Sequence, residues 1–130
     1  YNTDWPDYKA QVAAGKYPMF RYSWYADIPD PDSFLGQLFE STSHDNLTRF
    51  QNGAVDTLLR RAREEHEMAK RMALYQEIER QILGHAPLIV LSYAVYERLF
   101  QPQVMGIEAG ALGDPLIPMK KIWLRTEQRE

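Results

Sequence analysis

An α/β fold with few strands is what three features of this sequence predict. Two adjacent segments, residues 53–65 and 68–83, repeat apolar side chains at helical spacing. Two others, Pro18–Ala26 and Pro87–Tyr93, are aromatic or β-branched runs of strand length. The chain's 130 residues, 45% of them hydrophobic, suit one globular domain of ordinary size. Its strands are too few to make a comfortable sheet alone.

Each element has a local cause. Thr3 or Asp4 can cap a first helix, Pro6 falls in its first turn where a missing N–H costs nothing, and Gly15 ends it. Trp5, Tyr8 and Val12 share its apolar face. The Pro18–Ala26 run carries large side chains on both faces, which predicts a central strand covered on both sides. Asp30, Pro31 and Asp32 then start a helix, as cap, first position and dipole-favoured acid, with Phe34, Leu35, Leu38 and Phe39 pointing inward.

A polar loop from Glu40 to Asp45 leads to Asn52, which caps a helix from Gly53 to Glu65 with Val55, Leu58, Leu59 and Ala62 on one face. The next helix, Met68–Leu83, buries Met72, Tyr75, Ile78 and Ile82. Gly84 closes it, and Pro87 forbids its continuation. The two helices are expected to pack as an antiparallel pair. Pro87–Tyr93 is the strongest strand, continuing with a bend through Val95 and Tyr96 toward Leu99 and Phe100. A Pro/Gly-rich connection, residues 102–118, leads to a short last strand, Lys120–Leu124, and a polar, frayed tail, Arg125–Glu130.

Composition excludes several classes of function. A net charge of -3 leaves no basic footprint for nucleic acid. The longest apolar run, around Ala86–Ala94, is too short to cross a bilayer. With no cysteine there are no disulfides and no thiolate metal sites. His44, His66 and His85 are scattered, without metal-ligand spacing, and no cofactor or metal is expected. Neither a Gly-rich phosphate loop nor a Gly-x-Ser-x-Gly elbow occurs. The chain begins at Tyr1, almost inside a helix signal, which reads as a piece of a longer protein.

The chemistry concentrates in Tyr22-Ser-Trp-Tyr-Ala-Asp-Ile-Pro-Asp-Pro-Asp-Ser-Phe34. Capping logic accounts for Asp30 and Asp32. Asp27 lies outside the cap, directly behind Trp24 and Tyr25, and its residue pattern is open between a turn acid, a catalyst and a ligand clamp. Arg21 puts a cation in the middle of the aromatic run, as a rim residue or as the partner of an anion. The run Arg60-Arg-Ala-Arg-Glu-Glu-His66 alternates sign and reads as a solvated face.

Several ordered motifs resemble one family. They are Ser23-Trp24-x-Ala26-Asp27-x-x-Asp30-Pro31-x-x-Phe34-Leu35, Leu38-Phe39, Asn46, and Asn52-x-x-x-Asp56-x-Leu58-Leu59. They continue with Arg71-x-x-Leu74-Tyr75-x-Glu77-Ile78-Glu79 and Ala86-Pro87-x-Ile89-x-Leu91. The whole, from Asp4 to Leu124, resembles the C-terminal part of the family 5 extracellular solute-binding proteins, the dipeptide and oligopeptide receptors of bacterial ABC importers. The resemblance implies a C-terminal fragment of a two-lobed, periplasmic-binding-protein-like type II fold. Residues 1–86 would belong to the second ligand-binding lobe, and 87–130 would cross the hinge and return toward the first.

The same resemblance implies a site and its partners. Asp27 would pair with a peptide's α-ammonium, Trp24 would line the cavity with Tyr25 beside it, and Arg21 would meet a peptide carboxylate. Such a receptor is not an enzyme, works in the periplasm or elsewhere outside the cytoplasm, and passes its peptide to permease subunits in the inner membrane. The spacing is compatible: extended chain from Arg21 to Asp27 spans at most ~20 Å, room for a short zwitterionic peptide once side-chain reach is subtracted. The alternatives are a receptor of the same fold for a nickel complex, an oligosaccharide, glutathione or haem, a hydrolase pairing Asp27 with a second carboxylate, and a helical interaction module. Unpaired strand edges in the fragment also predict a homo-oligomer.

Overall fold

Local signals decide the helices. The computed structural model describes residues 4–95, 97–108, 110 and 118–125. They divide into two compact units, Tyr1–Ala26 with Asp30–Ile89, and Asp27–Pro29 with Val90–Glu130. Outside the described residues lie the Thr3 cap, Tyr96, parts of the Pro/Gly-rich connection (109 and 111–117) and the tail from 126.

The first unit is helical. Helix α1, Trp5–Ala13, follows Asp4 and has its proline in the first turn. Gly15 ends it at φ +70°, where a side chain would also collide with the Arg49 guanidinium. Val12 is the buried residue of the helix, while Trp5 stays exposed and stacks on Tyr8 and Tyr22 at 5.7 and 6.0 Å. Helix α2, Asp32–Phe39, begins one residue later than the cap pattern predicts. Asp30 still serves its start, taking the Asp32 N–H on Oδ1 at 2.9 Å. Phe39 is buried and Leu35 and Leu38 are half-buried, but Phe34 is exposed. Its inward placement is thus corrected: an eight-residue helix buries one stripe, and Phe34 lies off it.

Helix α3, Gly53–Glu64, is capped by Asn52, whose carboxamide oxygen accepts the N–H groups of Ala54 and Val55. Helix α4, Met68–His85, runs past Gly84 and ends at Ala86 in the left-handed conformation, φ 50°. The short link 65–67 folds α4 back along α3, and α2 packs against both. The core joins Phe39, Phe50, Val55, Leu59, Ala62, Tyr75, Ile78 and Ile82, each worth roughly 1.5–3 kcal/mol for its larger side chains. Met72, expected inside, lies beyond the edge of this stripe and is exposed.

The connection between α2 and α3 is built on Asn46. Its amide donates to the carbonyls of Glu40 and Phe50, at 3.2 and 2.7 Å. Its oxygen accepts from the Thr48 hydroxyl and the Phe50 N–H, at 2.9 and 3.1 Å.

Neither long strand predicted from the sequence forms among the described residues. Residues 18–26 and 87–95 are extended or bent without ladder pairing, and so are the described residues 97–100. A strand exists only where a neighbour meets its N–H and C=O groups. At Arg21 both backbone groups are instead satisfied by one hydroxyl, that of Tyr8, at 3.0 and 2.8 Å. Nor is the first run covered on both faces, since Met19, Tyr22 and Tyr25 are exposed.

In the second unit the described pairing is a short antiparallel ladder, β1 (Val104–Met105) with β2 (Trp123–Leu124). The expected last strand shrinks to β2 because Met119–Lys121 form a 3₁₀ turn. Gly106, at φ +78°, leaves space for the Lys121 carbonyl, which an added Cβ would meet at 1.9 Å.

Candidate functional site

The candidate residues divide between the units. Arg21, Trp24 and Tyr25 belong to the first, and Asp27 to the second. Arg21 is exposed, with its backbone held by Tyr8. Trp24 is half-buried, and its indole Nε1 donates to the Ser33 carbonyl in the first turn of α2, at 2.7 Å. Tyr25 and Asp27 are exposed.

The acids that follow are committed to arginines. Asp30 is forked by Arg71 of α4, Nη1 to Oδ2 at 2.8 Å and Nη2 to Oδ1 at 2.9 Å. Hydrogen bonding from Arg71 holds the Asp30 carboxyl below its usual value, and the same bond raises the arginine. Asp32 takes Arg63 Nε on both oxygens, at 3.0 and 3.1 Å, while the rest of that guanidinium forks onto Glu40 at 3.0 and 2.9 Å. These contacts, with Glu40 first, push Arg63 upward. An alanine at Gly36 would drive its Cβ to 2.5 Å from Asp32 Oδ1 and 2.6 Å from Arg63 Nη2, so the absent side chain makes room for this pair. Tyr75 is raised chiefly by burial, and its hydroxyl lies 3.2 Å from Arg71 Nη2 and 3.4 Å from Asp32 Oδ1.

Two consequences bear on chemistry. A carboxylate held down by a forked arginine is ionised near neutral pH, so Asp30 has no proton to give as a general acid. Arg63 is exposed, as its alternating run suggests, and it is also ion-paired. Its partners lie 31 and 23 residues away, beyond any local pattern. Arg71 left a fainter trace: it precedes Tyr75 by one helical turn, and its guanidinium sits 5.0 Å from that ring's centre.

The histidines stay apart, as their spacing suggests. His44 is fully exposed beside Asp45, His66 is exposed, and His85 caps Gln81 and packs edge-on to Phe50. Among the described residues no cluster of His, Cys, Asp and Glu could hold a metal ion, and no helix is long and apolar enough to cross a membrane.

Comparison with solved structures defines the class of fold. The unliganded open form of the periplasmic murein tripeptide-binding protein MppA superposes with a TM-score of 0.67 over 95% of this chain, at 24% identity, the match taking in 24% of that structure. The chain is therefore part of an α/β, periplasmic-binding-protein-like type II fold.

No protein-family model matches the chain. Individual relatives do. The probable deoxycholate-binding periplasmic protein YgiS of Escherichia coli K12 is 37% identical over 103 residues, 79% of this chain. The periplasmic murein peptide-binding protein MppA of the same organism is 31% identical over 81% of it, and its periplasmic oligopeptide-binding protein OppA is 28% identical over 81%. The chain is homologous to the family 5 periplasmic oligopeptide- and dipeptide-binding proteins. It spans 19% of the length of each of these three relatives.

Proposed function

We propose that this chain is part of the substrate-binding component of an ABC importer, a non-catalytic receptor that captures peptides in the periplasm and delivers them to permease subunits of the inner membrane. The homology to two peptide receptors, at 31% and 28% identity over 81% of the chain, carries the reading. Residues 1–86 are assigned to the second ligand-binding lobe, and 87–130 to the hinge crossing and the return toward the first. Asp27 receives the peptide's ammonium, Trp24 and Tyr25 supply aromatic wall, and Arg21 receives a carboxylate. The exposure of Arg21, Tyr25 and Asp27 supports these roles.

A second reading has one observation behind it: the 37% identical relative is named a probable deoxycholate-binding protein. A steroid carboxylate would use Arg21 and the aromatic rings, and would gain nothing from Asp27.

The test is calorimetry on the complete receptor carrying this segment, using trialanine, N-acetyl-trialanine and deoxycholate. A buried ammonium stripped of its carboxylate costs about 2–5 kcal/mol, so Asp27→Ala should weaken free trialanine roughly thirty- to several-thousand-fold. The acetylated peptide should bind the parent poorly and lose much less in the variant. Equal losses for both peptides would end the ammonium reading. Tight deoxycholate binding untouched by Asp27→Ala would favour the second.

A further inference from the structure

The Trp24 side chain is held at its polar end. Tryptophan has a single donor, the indole Nε1–H, and here it goes to the Ser33 carbonyl at 2.7 Å. That bond constrains the ring and leaves the indole no N–H to offer a ligand. The acceptor lies in the first turn of α2, on a residue only 3% exposed.

The same turn is tied to the other helices by charge. Asp30 accepts the Asp32 N–H on Oδ1 at 2.9 Å, and its own carbonyl accepts the Ser33 N–H at 3.0 Å. A capping aspartate gains its share from backbone N–H groups alone. Asp30 nevertheless receives both terminal nitrogens of Arg71. Arg71 is braced in turn: its Nε donates to the Ala62 carbonyl in α3 at 3.2 Å, and Nη2 reaches the Tyr75 hydroxyl at 3.2 Å. A forked arginine–carboxylate pair fixes orientation as well as distance. Arg63 adds a second tie from α3, meeting Asp32 at the start of α2 and Glu40 just past its end. The path from Arg71 through Asp30 and Ser33 to the indole therefore runs through bonds inside the first unit.

We infer that Arg71 is a positioning residue for Trp24: by fixing Asp30 to the α3–α4 pair it sets the first turn of α2, and so the orientation in which the Ser33 carbonyl holds the indole. The inference rests on the reading of Trp24 as ligand wall given above. A wall already held in one orientation need not be ordered when ligand arrives, and affinity gains by that saving.

The experiment uses the complete receptor carrying this segment in five forms: parent, Arg71→Met, Asp30→Asn, Trp24→Phe and the Arg71→Met/Trp24→Phe double variant. Hydrogen exchange of the indole N–H groups is followed by NMR with isotope-labelled tryptophan, the Trp24 signal being the one missing from Trp24→Phe. Affinities for trialanine and deoxycholate are measured by calorimetry, alongside thermal midpoints. Arg71→Met should speed exchange at the Trp24 indole several-fold, because its bond no longer ends on a braced turn. It should weaken whichever ligand the parent binds roughly two- to tenfold, the scale of ordering one large side chain on binding. Asp30→Asn keeps a capping oxygen but offers Arg71 a neutral partner. It should move both readouts the same way, by less, and it supplies the comparison if Arg71→Met fails to fold. Trp24→Phe keeps a ring, loses the donor, and should also weaken binding. In that background Arg71→Met should lower the thermal midpoint as before yet leave affinity unchanged.

If Trp24→Phe weakens binding but Arg71→Met and Asp30→Asn leave indole exchange or affinity at the parent's value, the inference falls alone. It falls alone too if Arg71→Met weakens binding equally in both backgrounds, since its role is then structural. If Trp24→Phe binds as the parent does, or the parent binds neither ligand, the wall reading fails first and takes this inference with it.

Discussion

Arg71 and Asp30, separated by 41 residues in sequence, meet as a two-pronged pair that joins the start of α2 to α4. Both side chains are only about a fifth exposed, at 19% and 22%, so solvent screens the pair less than it would a surface ion pair. Its effects should be visible in stability.

The first expectation is a dependence on acid. Because the Asp30 carboxyl is held below its usual value, its stabilisation is present above the unfolded carboxyl's pKa, about 4, and is lost as pH falls through the lower folded value. Urea midpoints measured from pH 6 to pH 2 should drop below about pH 4. Arg71→Met should begin about 1–3 kcal/mol lower at pH 6, the range for a charged hydrogen-bonded partner, and should fall less steeply in acid. Parallel profiles for the two proteins would contradict this.

Leu59 is fully buried between α3 and α4. Leu59→Ala should cost roughly 2–5 kcal/mol by chemical denaturation, depending on how far the cavity collapses. A loss below about 0.5 kcal/mol would be that of a surface position and would place Leu59 outside the core.

Asn46 gives its carboxamide to four bonds that close the loop before α3. Asn46→Ala leaves the Phe50 N–H and two carbonyls to find other partners, at about 1–3 kcal/mol. The effect should also be local. Arg49 is exposed in the left-handed conformation at φ 56°, and trypsin should cut after it faster in the variant. Unchanged cleavage there would show that the loop does not depend on Asn46.

Ile89, Leu91, Tyr93, Val95 and Leu99 are all more than two-thirds exposed, and the described backbone that carries them, 89–95 and 97–99, shows no ladder pairing. Such segments pair with copies of themselves, and charge is the usual deterrent. The 130-residue chain should therefore associate at high concentration by light scattering, and Leu91→Lys with Val95→Lys should reduce that association. A monodisperse parent would refute it.

The helices were legible because their causes lie within a turn or two. Apolar spacing located Val55, Leu59, Tyr75, Ile78 and Ile82, and a single residue, Asn52, marked where α3 begins. Phe34 and Met72 misled because periodicity gives the direction of a buried stripe without its width. The long strands were not legible as observed, because a strand depends on a partner that its own residues do not name. The same non-locality hid the roles of Arg63 and Arg71. Among the site residues, sequence drew attention to Trp24, and the bond to Ser33 adds what holds its indole.

The Asn52 cap has a chemical consequence as well. Asparagine followed by glycine is the pair in which the main-chain nitrogen most easily attacks the carboxamide carbon, expelling ammonia and leaving a succinimide that opens to aspartate or isoaspartate. Here the carboxamide oxygen is held by the N–H groups of Ala54 and Val55, at 3.0 and 3.3 Å, and Gly53 is already the first residue of α3. Ring closure must wait for that first turn to open, so deamidation at this bond becomes a slow record of local unfolding. Aspartate formed there would cap as well as before, with its charge at the favourable end of the helix. Isoaspartate would insert a carbon into the main chain and undo the cap, so the bond most prone to ageing is guarded by the turn that its own breakdown would destroy.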